Sequence, residues 1–166
     1  MLYLITGPAG VGKSTISREI AKSSNKSVLL EGDEFYHHVV SSYVPAWKEK
    51  NHLDIFWKEV INSIKLYLDN NYDVVFNYII GEDKLKELKN IFKDYKTKFV
   101  VLLTDEKTII ERDNLRDEED RMKERCLIKL NNFLEKDYPN NNKLFTTNLS
   151  IEETKNEIIN NDKYII

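Results

Sequence analysis

The sequence predicts an α/β protein in which five strands form a parallel sheet with helices on both faces. Short apolar runs alternate along the chain with longer segments whose apolar residues recur at helical spacing. The run at residues 97–104 is almost entirely apolar, as expected of a central parallel strand that is buried on both faces. With 166 residues and no repeat or linker-like stretch, the chain is expected to form a single domain, residues 1–166.

The first half of the chain is expected to contain three strands and three helices. Ile16, Ile20 and Ala21 lie on one face of the helix that follows the first strand. Apolar residues from Leu53 to Leu68 recur at helical spacing and indicate a long amphipathic helix. The predicted strands are residues 2–5, 27–31 and 73–80, and the predicted helices are residues 14–21, 34–40 and 53–68.

The second half continues this alternation. A helix follows the third strand, a charged helix starts at about Asp105 after the fourth, and another helix follows a polar stretch. The last strand is predicted at residues 144–147, and the capping-box spacing of Ser150 and Glu153 predicts the start of the final helix. The helix residues expected to face the core are Leu85, Leu88, Ile91 and Phe92, and then Met122, Cys126, Leu130 and Phe133.

The composition limits the classes of partner. Hydrophobic residues make up 41% of the chain and charged residues 32%, a balance typical of soluble globular proteins. The net charge of -3 provides no attraction to nucleic acid or to an anionic membrane. No apolar run approaches the roughly 20 residues that cross a bilayer, and the first strand begins at Leu2, so no signal peptide is expected. The single cysteine, Cys126, excludes an internal disulfide and is compatible with a cytoplasmic protein.

The first strand ends in a glycine-rich loop, at the edge where parallel α/β sheets bind their ligands. The spacing Gly7-x-x-x-x-Gly12-Lys13-Ser14 between a strand and a helix is that of a phosphate-binding P-loop. Backbone N–H groups would bind phosphate oxygens, Lys13 would reach the β- and γ-phosphates, and the Ser14 hydroxyl would bind Mg²⁺. The predicted contact residues of this loop are Gly7, Pro8, Ala9, Gly10, Val11, Gly12, Lys13, Ser14 and Thr15.

The loop is compatible with several reactions, and other motifs narrow the choice. The Gly-x-Gly-x-x-Gly spacing of dinucleotide-binding proteins is absent. The strings Asn-Lys-x-Asp and Asp-x-x-Gly, with which GTPases read guanine and sense hydrolysis, do not occur either. We therefore expect transfer of a γ-phosphoryl group to a small acceptor.

Two carboxylates lie near the end of the second predicted strand. Asp33 could accept the proton of an acceptor hydroxyl, and Glu31 could help to hold Mg²⁺ through water. Alternatively, Asp33 is the N-cap of the helix at residues 34–40, and Glu31 is a solvated strand end. Aromatic and lysine side chains at residues 35–57 could line a substrate pocket or form the apolar underside of a helix. Adjacent histidines, His37 and His38, point in different directions on a helix, which disfavours a metal site.

The segment 111–125 carries four arginines among seven acidic residues. Because a guanidinium group binds phosphate with two parallel hydrogen bonds, we expect a lid near residues 112–125 that closes over ATP. Arg112 and Arg116 are assigned to the nucleotide and Arg121 to the lid, whereas Arg125 is expected to be structural. The alternative is a solvated helix with ion pairs between residues four positions apart.

Together these features resemble the small P-loop kinases of the nucleoside-monophosphate-kinase type, such as gluconate kinase, shikimate kinase and chloramphenicol phosphotransferase. The stretches GPAGVGKST, LEGD, RMKERC and TTNLS also resemble bacterial P-loop proteins labelled as gluconate kinases, over essentially the whole chain. The resemblance implies a three-layer P-loop NTPase fold with the strand order 2-3-1-4-5. It also implies the use of ATP and Mg²⁺.

The resemblance assigns roles to individual residues. Asp33 matches the acceptor-binding or base aspartate, and Glu31 lies where shikimate kinases have another acid. Arg112 and Arg116 match helix-end and lid arginines, and Thr147-Asn148 matches the loop that packs near the adenine. The expected catalytic residues are Lys13, Asp33, Arg116 and Arg121, the expected nucleotide contacts outside the loop are Arg112 and Asn148, and the expected Mg²⁺ contacts are Ser14 and Glu31.

The sequence departs from the named enzymes at positions that concern the acceptor. Gluconate kinases follow the aspartate with a His-Pro pair, whereas Val39 follows His38 here, and the glycine triplet of shikimate kinases is absent. Asn77 lies where related proteins often carry Asp. We expect an ATP-dependent kinase of a small hydroxylated metabolite, acting as a monomer or a homodimer. The alternatives are an antibiotic-inactivating phosphotransferase and an ATP-binding regulatory protein with little turnover.

Overall fold

The computed structural model describes residues 1–41, 44, 50–115 and 117–166, except for the side chains of Lys50 and Asp120. The strands are β1 (Leu2–Thr6), β2 (Ser27–Glu31), β3 (Asp73–Asn77), β4 (Thr97–Leu103) and β5 (Lys143–Phe145). The α-helices are α1 (Lys13–Lys22), α2 (Gly32–Tyr36), α3 (Lys50–Asp69), α4 (Glu82–Ile91), α5 (Glu106–Asn114), α6 (Glu124–Leu134) and α7 (Ile151–Asn160). Single 3₁₀ turns lie at Glu118–Asp120, Asn140–Asn142 and Asp162–Tyr164. In the described ranges, no helix has the length and apolar character needed to cross a bilayer.

All five strands run parallel in one sheet, in the order β2-β3-β1-β4-β5, which confirms the predicted fold class. β1 lies at the centre, where Ile5 is opposite Asn77 of β3 and Val100 of β4. Because parallel strands end at one edge, the ends of β1, β2 and β3 lie side by side. Ligands of such sheets bind at this edge.

Two apolar cores cover the two faces of the sheet. Leu2 and Leu4 of β1 belong to the core that α3, α4 and α6 complete, whereas Tyr3 and Ile5 belong to the core formed with α1 and α7. This division follows from the alternation of side chains along a strand. β4 is buried along its entire length, as predicted for a strand covered on both faces.

β3 ends three residues earlier than predicted, at Asn77 instead of Ile80. The backbone N–H of Tyr78 still donates to the carbonyl of Ile5 (3.2 Å), but the N–H of Ile80 donates to the Thr6 hydroxyl (3.0 Å). Ile80 is fully buried, so its apolar character reflects core packing and not strand pairing. The early end places Asn77 at the ligand-binding edge of the sheet.

The short helix after β2 also differs from the prediction. α2 covers Gly32–Tyr36, not residues 34–40, and its N-cap is Glu31, which makes no side-chain cap bond. Asp33 lies inside the first turn, so its alternative role as an N-cap is wrong. The first residue of the helix, Gly32, lies directly against Tyr78: a Cβ atom there would be 2.4 Å from the tyrosine ring.

The elements after β4 occur in the predicted order, with shifted ends. Ser150 and Glu153 form the predicted capping box at the start of α7, which confirms that prediction. α6 begins at Glu124, so Met122 precedes it, and β5 ends at Phe145, before the predicted end at residue 147. Arg116 lies outside the described residues, so its predicted role and the closure of a lid around it remain predictions.

Candidate active site

The loop between β1 and α1 requires glycine where the chain passes over β4. Gly7 has a φ of +151°, and a Cβ atom there would lie 2.4 Å from the carbonyl oxygen of Leu102. Gly12 has a φ of +103° and immediately precedes α1. Residues other than glycine rarely adopt such φ angles. The loop therefore follows a path that other residues would block, and it delivers the chain directly into a helix N-terminus.

This helix N-terminus has the properties of an anion site. The first N–H groups of an α-helix lack intrahelical partners, and the helix dipole makes this end positive. The first turn of α1 contains no acidic residue. The Lys13 ammonium donates hydrogen bonds to the carbonyl oxygens of Gly7 (3.0 Å) and Pro8 (2.9 Å), and Ser14 and Thr15 are exposed beside it. Positive charge and hydrogen-bond donors thus meet at the loop.

A cavity of about 550 Å³ opens over the loop. It brings together the loop residues 9–15 with Asp33 of α2 and Arg112 of α5. Its lining also includes seven residues that were not predicted as site residues: Ile16, Asn77, Leu115, Thr146, Leu149, Ile151 and Thr154. Five predicted site residues within the described part of the chain do not line it: Gly7, Pro8, Glu31, Arg121 and Asn148. Arg116 lies outside the described residues.

Arg112 supports the cavity wall and positions the loop. Its guanidinium group donates to the Val11 carbonyl (2.9 Å), the Thr146 hydroxyl (3.0 Å) and the Thr146 carbonyl (3.1 Å). Burial lowers the pKa of this group, while the negative charge of Asp105 opposes the shift. Arg112 therefore ties the phosphate loop to the segment after β5, in addition to facing the cavity.

The two carboxylates predicted at the end of β2 lie in different surroundings. Asp33 is exposed in the first turn of α2 and lines the cavity. Glu31 is half-buried, and its Oε1 accepts a hydrogen bond from Nη2 of Arg18 at 3.2 Å. The structure thus brings Asp33, but not Glu31, to the cavity.

The segment after β5 contributes through residues other than the predicted Asn148, which is exposed. The Thr147 hydroxyl accepts a hydrogen bond from the backbone N–H of Asp105 (3.1 Å). Thr146 is buried, and its hydroxyl accepts a hydrogen bond from the Arg112 guanidinium. Threonines in a strand-end loop carry no distinctive sequence signal, so only the contact with Arg112 identifies Thr146.

Asn77 did carry a usable signal. It is the last residue of β3, and the rule that ligands bind at strand ends applies to it as it does to Asp33. The sequence singled out Asn77 only because related proteins often carry Asp there, and the apolar residues at 78–80 extended the predicted strand beyond it.

The aromatic side chains of residues 35–57 that the structure describes do not line the cavity. Phe56 and Trp57 are almost fully buried and pack against Tyr78, with ring centroids 4.6 and 5.8 Å apart. Tyr36 is buried, and its hydroxyl donates to the Val44 carbonyl (2.7 Å). These contacts support the core interpretation of the aromatic segment over the substrate-pocket interpretation.

The oxygen donors at the cavity are compatible with Mg²⁺. Mg²⁺ prefers hard oxygen ligands and in phosphoryl-transfer sites takes several of them from the substrate phosphates and water. The Ser14 hydroxyl is exposed at the anion site, and the Asp33 carboxylate lines the same cavity. Among the described residues, no three acidic, histidine or cysteine side chains cluster as a protein-only metal site.

Comparison with known proteins gives a consistent result. The family model described as an AAA domain matches residues 4–159. A gluconokinase from Sinorhizobium meliloti 1021 superposes with a TM-score of 0.67 and 18% identity, over 95% of this chain and 89% of that chain. A sugar kinase from Janibacter sp. HTCC2649 superposes with a TM-score of 0.64 and 14% identity, over 96% of this chain and 90% of that chain. A tunicamycin resistance protein from Deinococcus radiodurans superposes with a TM-score of 0.68 and 12% identity, over 96% of this chain and 93% of that chain. At these identities, the similarity demonstrates a shared fold.

Proposed function

The chain belongs to the AAA domain family, and from that premise we propose that it is an ATP-dependent kinase that transfers the γ-phosphoryl group of ATP to a hydroxyl group of a small metabolite. Its resemblance to small P-loop kinases is confirmed by the family match and by the fold it shares with a gluconokinase and a sugar kinase. One observation carries the proposal. The anion site at the start of α1 and the carboxylate of Asp33 line the same cavity.

The phosphate loop supplies binding and charge stabilisation. Lys13 and the first N–H groups of α1 would bind the β- and γ-phosphates. Ser14 would hold Mg²⁺, which neutralises phosphate charge when it is bound. Arg112 would keep the loop in position through its hydrogen bond to Val11. Arg116 stays assigned to the nucleotide, and Arg121 to a lid that would exclude water during transfer.

Asp33 supplies the acceptor side of the reaction. Its carboxylate would accept the proton of the attacking hydroxyl as that oxygen bonds to the γ-phosphorus and ADP departs. The net charge of -3 favours a small acceptor over a nucleic acid, and the lone buried cysteine suits the cytoplasmic setting that we expect. The core position of Phe56 and Trp57 speaks against an aromatic antibiotic pocket.

The replacement Asp33→Asn tests the proposal. A positioned base contributes about 10²–10⁴-fold, so acceptor-dependent turnover should fall on that scale. ATP affinity should change little, because it depends on the loop and on Lys13. Turnover is measured as ADP release with a panel of sugar acids, polyols, nucleosides and antibiotics, and affinity is measured by calorimetry.

Glu34→Gln is the matched control. Glu34 is the next residue of the same helix and is exposed, but it does not line the cavity. Replacement of the Glu34 carboxylate by an amide should leave turnover unchanged. Full turnover in Asp33→Asn would exclude Asp33 as the base. If no acceptor in the panel stimulates ADP release by the unmodified protein, the kinase proposal is contradicted.

A further inference from the structure

Two buried polar side-chain atoms have no hydrogen-bond partner among the described residues. They are Oγ of Ser17 and Nδ2 of Asn77. A buried donor without a partner has lost its water and gained nothing in return. Ser17 lies outside the cavity lining, whereas Asn77 is 5% exposed and lines the cavity. Asn77 therefore lies where a bound ligand could supply an acceptor to its side-chain amide.

The position of Asn77 in the sheet indicates which part of a ligand it would meet. β3 lies between β1 and β2, and Asn77 pairs with Ile5 on one side and Glu31 on the other. β1 leads into the phosphate loop, and β2 leads into Asp33. Asn77 thus lies between the anion site and the carboxylate, where a group passing from one to the other would travel.

The charge of the cavity explains why an amide suits this position. Among the lining side chains, Lys13 and Arg112 are cationic, and Asp33 is the one carboxylate within the described residues. A carboxylate at position 77 would add a second negative charge beside the phosphate oxygens, which a bound cation would have to offset, whereas an amide offers two N–H groups and no charge. Rotation about the terminal side-chain bond exchanges the nitrogen and oxygen of the amide, so the donor can turn toward the cavity.

We infer that the side-chain amide of Asn77 donates a hydrogen bond to an oxygen of the γ-phosphoryl group of the bound nucleotide. The inference rests on the proposed function, because it takes a nucleoside triphosphate as the ligand. It assigns Asn77 to the discrimination between a triphosphate and a diphosphate. The contact involves the γ-phosphoryl group, which ATP carries and ADP lacks, and not the α- and β-phosphates that both nucleotides share.

Asn77→Ala tests this with ADP and a non-hydrolysable ATP analogue, each titrated by calorimetry in the presence of Mg²⁺. Loss of a hydrogen bond to a charged oxygen should weaken binding of the analogue by about 10-fold or more. ADP should bind as it does to the unmodified protein. The measured quantity is the ratio of the two dissociation constants, which a general loosening of the fold would not change selectively.

Ser17→Ala is the matched control, because it removes the other unpartnered atom from outside the cavity lining. Both dissociation constants should remain unchanged in it. Asn77→Asp keeps the size of the side chain and serves if Asn77→Ala does not fold. With EDTA present, its added negative charge should weaken binding of the ATP analogue by a larger factor than binding of ADP.

The outcomes separate the inference from the function on which it rests. Equal weakening of both nucleotides, or no weakening, would overturn the contact with the γ-phosphoryl group. A changed KM for the acceptor with unchanged nucleotide binding would overturn it as well, by placing Asn77 on the acceptor. If the unmodified protein binds neither nucleotide, the proposed function itself fails.

Discussion

At the residue scale, Gly7 decides whether the phosphate loop can pass over the end of β4. Its backbone lies so close to Leu102 that no side chain fits, and its φ of +151° is one that L residues rarely adopt. Gly81, at the N-cap of α4, has an ordinary φ of -77° and open space around its Cα atom. The two glycines therefore form a natural comparison between a required glycine and a replaceable one.

We expect Gly7→Ala to lower the free energy of unfolding by roughly 2–4 kcal/mol, because overpacking and backbone strain add at this position. Nucleotide binding should weaken with it as the loop is displaced. Gly81→Ala should cost less than about 1 kcal/mol, the scale of an N-cap change. Urea denaturation of both variants measures the difference. If the two variants lose equal stability, the loop can accommodate a Cβ atom at Gly7 in spite of the nearby Leu102 carbonyl, and the prediction is wrong.

At the scale of elements, α7 is joined to the sheet by a buried lysine. Lys98 of β4 is almost fully buried, and its ammonium donates to the carbonyl oxygens of Ile158 (3.0 Å), Ile159 (2.6 Å) and Asn161 (3.1 Å). The last carbonyls of a helix lack intrahelical partners and form its negative end. Burial lowers the pKa of Lys98, while Asp162 nearby opposes that shift. Lys98 thus caps α7 from the neighbouring strand.

Lys98→Met should lower the free energy of unfolding by roughly 2–4 kcal/mol, because it leaves buried carbonyl groups without donors. Lys96→Met is the control: Lys96 immediately precedes β4, and its side chain makes a long, exposed ion pair with Asp162 (3.5 Å). That change should cost less than about 0.5 kcal/mol. Chemical denaturation measures both. A small loss in Lys98→Met would mean that α7 is capped by other groups.

At the scale of the whole molecule, buried tyrosines occur in both cores. Tyr138 belongs to the core with α6, and Tyr3 and Tyr164 belong to the core with α1 and α7. Burial raises the pKa of Tyr3 and Tyr164, and it raises the pKa of Tyr138 to about 12, with a smaller effect from Glu82. The Tyr138 hydroxyl also donates to the carbonyl of Ile80 (2.6 Å), two residues before α4.

These shifts predict that the fold weakens in alkaline solution. Above a pH of about 10 the unfolded chain loses tyrosine protons that the folded chain retains, so stability is full below pH 10 and falls as pH approaches 12. Tyr138→Phe should be less stable at pH 8, because it leaves the Ile80 carbonyl unpaired, but it should lose less stability between pH 9 and 11. Urea midpoints across this range test the difference in slope. Parallel pH profiles would contradict the role of Tyr138.

Much of the architecture follows from patterns that involve residues close together in the sequence. The alternation of apolar runs and helical periods predicted all five strands, and the spacing from Gly7 to Ser14 predicted the loop at the first strand end. The capping box of Ser150 and Glu153 is confirmed for the same reason. Each of these features depends on neighbours within a few positions, so sequence alone determines it.

What the tertiary structure decided depends on groups that are distant along the chain. Arg112 was assigned to the nucleotide, but only the fold shows that it also holds Val11 and Thr146. Glu31 and Asp33 look equivalent in the sequence, yet Arg18 engages one carboxylate while the other lines the cavity. Asn77 lies at the cavity because β3 ends there, and beyond it the backbone N–H of Ile80 donates to the Thr6 hydroxyl instead of pairing with a strand. Residue types and local spacing limit what each side chain can do, whereas its partners are set by which remote segments the packing of the two cores brings together.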